Sequence, residues 1–104
     1  MIAIVSHAWL LDDDPSARAD AYSRITADFE EVHATIAGYR GRRLLHGSDD
    51  PRHVVNIRFF DRVEDYDELV ARPDYATWIA RLSEHIEPRD PQKEILTLLL
   101  ATDR

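Results

Sequence analysis

Apolar residues in this chain recur with two different periods, and the switches between them mark the elements. Met1–Leu11 reads as a strand in which Ile2, Ile4, Val5, Trp9, Leu10 and Leu11 place apolar groups on both faces, so both faces expect cover. Asp12-Asp13-Asp14-Pro15 stops it. Asp14 suits an N-cap and Pro15 the first helical position, where a missing N–H costs nothing. Tyr22, Ile25, Phe29, Val32 and Ile36 then recur at helical spacing and predict a long helix from about Pro15 to Ala37, with Gly38 as its left-handed terminator. Tyr39–His46 and His53–Asp61 alternate as strands around a loop of turn formers, Gly47 to Arg52, and predict a hairpin. Its second strand carries two rows, Val55, Ile57, Phe59 and Val54, Asn56, Arg58, Phe60. A second helical region spans about Val63 to Ile86, broken at Arg72-Pro73 and closed by Pro88 and Pro91. Glu94–Thr102, with Leu96, Leu98, Leu99 and Leu100, reads as a last strand that is again apolar on both sides.

The order β-α-β-β-α-β defines an α+β, ferredoxin-like domain with a four-stranded antiparallel sheet, occupying residues 1–104 as one unit. Two helical layers cover only one face of such a sheet. The two-sided apolar strands therefore predict a homodimer in which a second copy covers the other face.

Composition narrows the partners. Thirteen Lys and Arg against twenty Asp and Glu leave a net charge of −7, which opposes nucleic acid and anionic membranes. The one basic cluster, Arg40, Arg42 and Arg43, divides between two strand faces. There is no cysteine, which removes thiolate chemistry and thiolate metal sites and fits a reducing, cytoplasmic setting. The N-terminal stretch reads neither as a signal peptide nor as a membrane span. No HExxH, Gly-rich phosphate loop or GxSxG occurs, and Asp12-Asp13-Asp14 reads as a cap and solvated turn rather than a metal site.

Several segments carry a resemblance to a known family: Gly38-Tyr39-Arg40-Gly41 opening the hairpin, Val55-Asn56-Ile57-Arg58-Phe59-Phe60-Asp61 running into Val63-Glu64-Asp65-Tyr66, and Ala71-Arg72-Pro73-Asp74-Tyr75 before the last helix. Over almost its whole length the chain resembles the antibiotic biosynthesis monooxygenase-like domains of the dimeric α/β-barrel superfamily. That resemblance implies two sheets meeting face to face, and a pocket between each sheet and its helices. Quinone-forming members of the family work without metal or flavin, so it also implies no cofactor. In those members an Asn on the third strand is followed by Trp and then Tyr at the spacings of Asn56, Phe60 and Tyr66. Asn56 and Tyr66 match, and Phe60 departs. Haem-degrading members of the superfamily use a first-strand Asn, where this chain has His7, plus Trp and His on the last helix, where Trp78 and His85 stand.

Each candidate has two readings. Asn56 is a pocket amide or a satisfied structural one, since an unpaired buried amide costs ~1–3 kcal/mol. Arg58 shares its face as a ligand-binding cation or a solvated strand arginine. Tyr66 donates in a pocket or packs at a helix start. Trp78 walls a pocket or fills the core, and His85 faces a ligand or the solvent at a helix end. His7, mid-strand between Val5 and Trp9, is an acid–base group or a core histidine. His33, His46 and His53 read as structural or water-facing. The leading expectation is a cofactor-independent monooxygenase-like enzyme for a small flat aromatic or quinol, with Asn56, His7 and Tyr66 catalytic and Phe60, Trp78, Arg58 and His85 binding substrate. In an antiparallel sheet of this type the first and third strands are neighbours, which would let His7 and Asn56 meet. The alternatives are a non-catalytic domain binding a small apolar molecule and, third, haem binding or degradation.

Overall fold

Eight elements form among the described residues. They are β1 (Ile2–Trp9), α1 (Pro15–Asp28), α2 (Glu30–Ala34), β2 (Tyr39–His46), β3 (His53–Phe60), α3 (Val63–Val70), α4 (Pro73–Ser83) and β4 (Gln92–Thr97). The computed structural model describes residues 1–90 and 92–104; Pro91, expected to help close the second helical region, lies outside them. The four strands make one antiparallel sheet in the order β2-β3-β1-β4.

Local chemistry explains most boundaries. The Asp14 carboxylate accepts from the Ala17 N–H at 3.2 Å, and Pro15 opens α1 as the sequence indicates. Pro73 likewise opens α4 after an extended Arg72. At α3 the Asp65 carboxylate reaches back to the Arg62 N–H at 3.1 Å, capping the helix from its third position.

Three expectations need correction. The long first helix is two helices, because at Phe29 the backbone bond tightens onto the Thr26 carbonyl. Gly38 is not a left-handed terminator; among the described residues only Gly41 has a positive φ, +101°, at the register shift between Tyr39 and Arg42. Gly38 is required for space instead, since a Cβ there would overlap the Asp65 carboxylate. The last strand ends at Thr97 rather than Thr102, and Leu99 and Leu100 stand exposed beyond it.

β3 alternates strictly, with Val54, Asn56, Arg58 and Phe60 buried beneath the helices. Directly paired residues share a face, so Ile4 opposite Arg58 and Ser6 opposite Asn56 also face the helices. The core there is split. One apolar cluster holds Leu10, Tyr22, Ile25, Val54, Trp78 and Leu82, and the other holds Ile4, Ile36, Phe60, Tyr66 and Leu69. Along β3 the two polar residues Asn56 and Arg58 lie between Val54 of the first cluster and Phe60 of the second. The opposite face presents Ala3, Val5, Val55, Ile57, Phe59 and Leu96 with no layer of the described residues over it, and Leu96 is 47% exposed.

Candidate functional site

A cavity of about 400 Å³ opens where the core is interrupted. β3 supplies Asn56 and Arg58 to it, β1 supplies Ser6 and Ala8, α3 Tyr66, α4 Tyr75 and Trp78, and β4 Lys93. Asn56, Arg58 and Trp78 are 3%, 2% and 1% exposed. Asn56 Oδ1, Arg58 Nε and Trp78 Nε1 are buried without a hydrogen-bond partner, and all three residues line this cavity. Such groups cost ~1–3 kcal/mol each, so their convergence is not explained by stability.

Arg58 is held by faces rather than charges. Its guanidinium carbon lies 5.3, 5.8 and 5.5 Å from the ring centres of Tyr66, Tyr75 and Trp78. Nη1 lies 3.5 Å from the Tyr75 hydroxyl and 3.4 Å from His33 Nε2. His33 Nδ1 is 3.0 Å from the Phe29 carbonyl and donates to it, leaving Nε2 to accept from Arg58. That tautomer is neutral, and burial, followed by the Arg42 charge, holds the imidazole down at about 4. Sequence reasoning undervalued His33, which is 1% exposed, because its position at the edge of a helix stripe does not reveal an arginine two elements away.

Tyr66 has a second cation. Lys93 Nζ donates to its hydroxyl at 2.7 Å. Burial alone would raise this phenol, but the Lys93 bond, the Tyr75 hydroxyl and the Arg58 charge outweigh it and hold Tyr66 below its ordinary value. Tyr75 is pushed up, chiefly by burial. Lys93, the single lysine of the sequence, carries no local signal of this role, because β4 pairing is needed to bring it to Ser6.

The structure brings Asn56, Arg58, Tyr66 and Trp78 together and separates the other candidates from them. His7 pairs with Val55, one residue out of step with Asn56, so the pleat sends its imidazole to the opposite face. It borders the cavity rim, yet its ring is engaged elsewhere: Nδ1 lies 3.0 Å from His53 Nε2, and Nε2 lies 3.3 Å from Glu94 Oε1. His53, expected to face water, stacks between His7 and Trp9 at 5.2 and 4.8 Å. Phe60 does not line the cavity; it is wholly buried beneath Tyr66 and Tyr39, with ring centres 5.8 and 5.5 Å away. His85 also stays outside, with Nδ1 3.0 Å from Arg18 Nη1.

No protein-family model matches the sequence, and no curated protein matches it. Solved structures do match its fold. SnoaB, a cofactor-independent oxygenase from Streptomyces nogalater, superposes with a TM-score of 0.75 at 16% identity, over 99% of this chain and 97% of that one. A provisionally assigned antibiotic biosynthesis monooxygenase from Nitrosomonas europaea gives 0.77 at 19% identity, over 98% and 93%. One from Bordetella bronchiseptica gives 0.79 at 15%, over 95% and 97%. The chain thus shares the fold of antibiotic biosynthesis monooxygenase-type proteins along nearly its whole length. No helix among the described residues is long and apolar enough to cross a membrane.

Proposed function

We propose that the chain is a cofactor-independent monooxygenase-like enzyme acting on a small, flat, electron-rich aromatic or quinol. The observation that carries this reading is the convergence of three unpartnered buried polar groups, on Asn56, Arg58 and Trp78, upon one aromatic-walled cavity. The likeness of fold to SnoaB supports it.

The chemistry needs no group outside the chain other than oxygen. With an anthrone-type substrate, a ring CH2 gives up one proton, and the resulting carbanion passes an electron to dioxygen. The radical pair combines to a peroxide anion, which takes back a proton to become the hydroperoxide. Loss of the second ring proton then expels water and leaves a carbonyl, so one oxygen atom enters product and the other leaves as water. Tyr66, lowered by its cations, is suited to take the first proton. The Asn56 amide accepts from a substrate hydroxyl through Oδ1 and holds a developing oxyanion through its N–H groups. Tyr75 and Trp78, tilted against each other with ring centres 5.5 Å apart, form one aromatic wall for the ring. His7 has no part in this, given its position on the other face.

In the same reading two copies pair through the open sheet face in the reducing cytoplasm. The apolar row there, with Leu45 and Leu96 half exposed, supports the pairing. A non-catalytic binding role is the second reading, favoured by Phe60, which stands where the resembling quinone-forming enzymes place Trp and lies beneath the cavity wall. The haem-degrading arrangement finds no support, since His7 and Trp78 occupy different faces and His85 lies outside the cavity. Oxygen consumption with anthrones and hydroquinones separates the first two: substrate-dependent uptake supports the enzyme, and saturable binding without uptake supports the binding module.

A further inference from the structure

The chain carries twenty acidic residues, yet its most buried arginine has none of them. Arg18, Arg40, Arg42, Arg52, Arg62, Arg72, Arg81 and Arg89 each hold a carboxylate. Among the described residues Arg58 does not, and its neighbours are three rings and a neutral imidazole. Arg42 stands directly across the β2–β3 ladder from it, adding a like charge on the same face, and the carboxylate nearest that pair, Glu30, is already bound by Arg42 and Tyr39. An uncompensated buried cation is expensive, and cation–π contacts offset only part of that. At the same cavity the ammonium of Lys93 rests on the Tyr66 phenol and, among the described residues, also lacks a carboxylate. Of the carboxylates at the cavity, Glu87 is taken by Arg52 and Arg89, and Asp90 sits in the exposed segment before β4. The interior is therefore positive, within a chain that is negative overall.

We infer that the cavity binds its flat ligand in ionised form, with a phenolate, enolate or carboxylate oxygen seated between Arg58 and Lys93. This rests on the proposed aromatic-binding role and specifies the charge of the ligand. The ring lies among Tyr66, Tyr75 and Trp78 while the anionic oxygen supplies the counter-charge that no residue provides. The free Arg58 Nε–H is the donor left over for it. The same two cations, Lys93 and Arg58, also lower the Tyr66 phenol.

The test is equilibrium binding of 2-naphthoate, its neutral methyl ester and 2-naphthol, by calorimetry and tryptophan quenching on the full chain. Naphthoate is expected to bind at least ~10-fold more tightly than the ester, about 1.4 kcal/mol. If the occupant is a phenolate or enolate instead, naphthol tightens as it ionises, and either outcome upholds the inference. Lys93→Met, at an exposed position that folding tolerates, is expected to shrink the preference several-fold; Arg58→Gln abolishes it, with thermal unfolding run alongside. An ester that binds as tightly as naphthoate, together with naphthol affinity flat across its ionisation, overturns the inference. Anion-selective binding with no oxygen uptake would defeat the oxygenase reading and leave this one standing, whereas uptake with neutral-preferring binding would do the reverse.

Discussion

Replacing Asn56 with Ala is the perturbation for which a catalytic and a structural amide differ most. In this structure Oδ1 is buried and unpartnered, a deficit of ~1–3 kcal/mol that the substitution removes. The side chain already borders a cavity, so its loss enlarges an existing space instead of opening a new one in packed core, where deletion costs ~2–5 kcal/mol. The two effects nearly cancel, and the net change should stay within ~1 kcal/mol, or ~4–8 °C in Tm for a domain near this size. Turnover should respond differently, falling ~10²-fold, about 2.7 kcal/mol of transition-state stabilisation. Thermal unfolding and oxygen-electrode kinetics on the same preparation read both. A loss of more than ~2 kcal/mol in stability, with unchanged kcat per folded molecule, would make Asn56 a structural amide with no catalytic role.

His33 should make stability fall in mild acid. Its folded value of about 4 lies below the ordinary ~6.5, so between the two the unfolded chain binds a proton the folded chain excludes; stability is full above pH ~6.5 and declines by up to ~3 kcal/mol toward pH ~4. His33→Gln should flatten that decline in denaturant titrations, and an unchanged slope would show that other groups cause it. Gly38→Ala should destabilise by ~1–3 kcal/mol by driving a Cβ into Asp65 and disturbing the α3 cap, which urea melts would register. Leu96→Asp, on the open face opposite Ala3, should convert a dimer of the 12.0 kDa chain to monomer by light scattering, and a wild type that is already monomeric at micromolar concentration would remove the dimer proposal.

Local chemistry was the legible part of the sequence. The Asp14-Pro15 start, the Arg72-Pro73 break and the hairpin are short-range features, and residues adjacent in sequence determine them. The alternation in β3 marked Asn56, Arg58 and Phe60 as one row, and the structure keeps them together. What failed depended on pairing. β1 is apolar on both sides, so its pattern could not say which row lies inside, and a one-residue difference in register sends His7 away from Asn56. A glycine after a helix suggests a left-handed cap, but the Asp65 carboxylate that demands Gly38 arrives from residues far along the chain. Of the leucines after Thr97, Leu98 still donates its N–H to the Met1 carbonyl at 3.0 Å, while Leu99 and Leu100 stand exposed, so leucine composition alone does not mark the end of the strand. Lys93 and His33 owe their roles to contacts across 27 and 25 residues of sequence.

The proposed activity is oxidation of a flat aromatic by dioxygen in this cavity, using the chain's own residues. The most direct measurement is oxygen uptake by the purified protein, treated with chelator, against a panel of anthrones and hydroquinones, compared with Asn56→Ala and the buffer rate. The expected result is saturable uptake above the buffer rate with at least one substrate, one water formed per oxygen consumed, and an Asn56→Ala rate lower by ~10²-fold. Saturable binding across the panel with uptake no faster than buffer would contradict it and leave the cavity as a binding site.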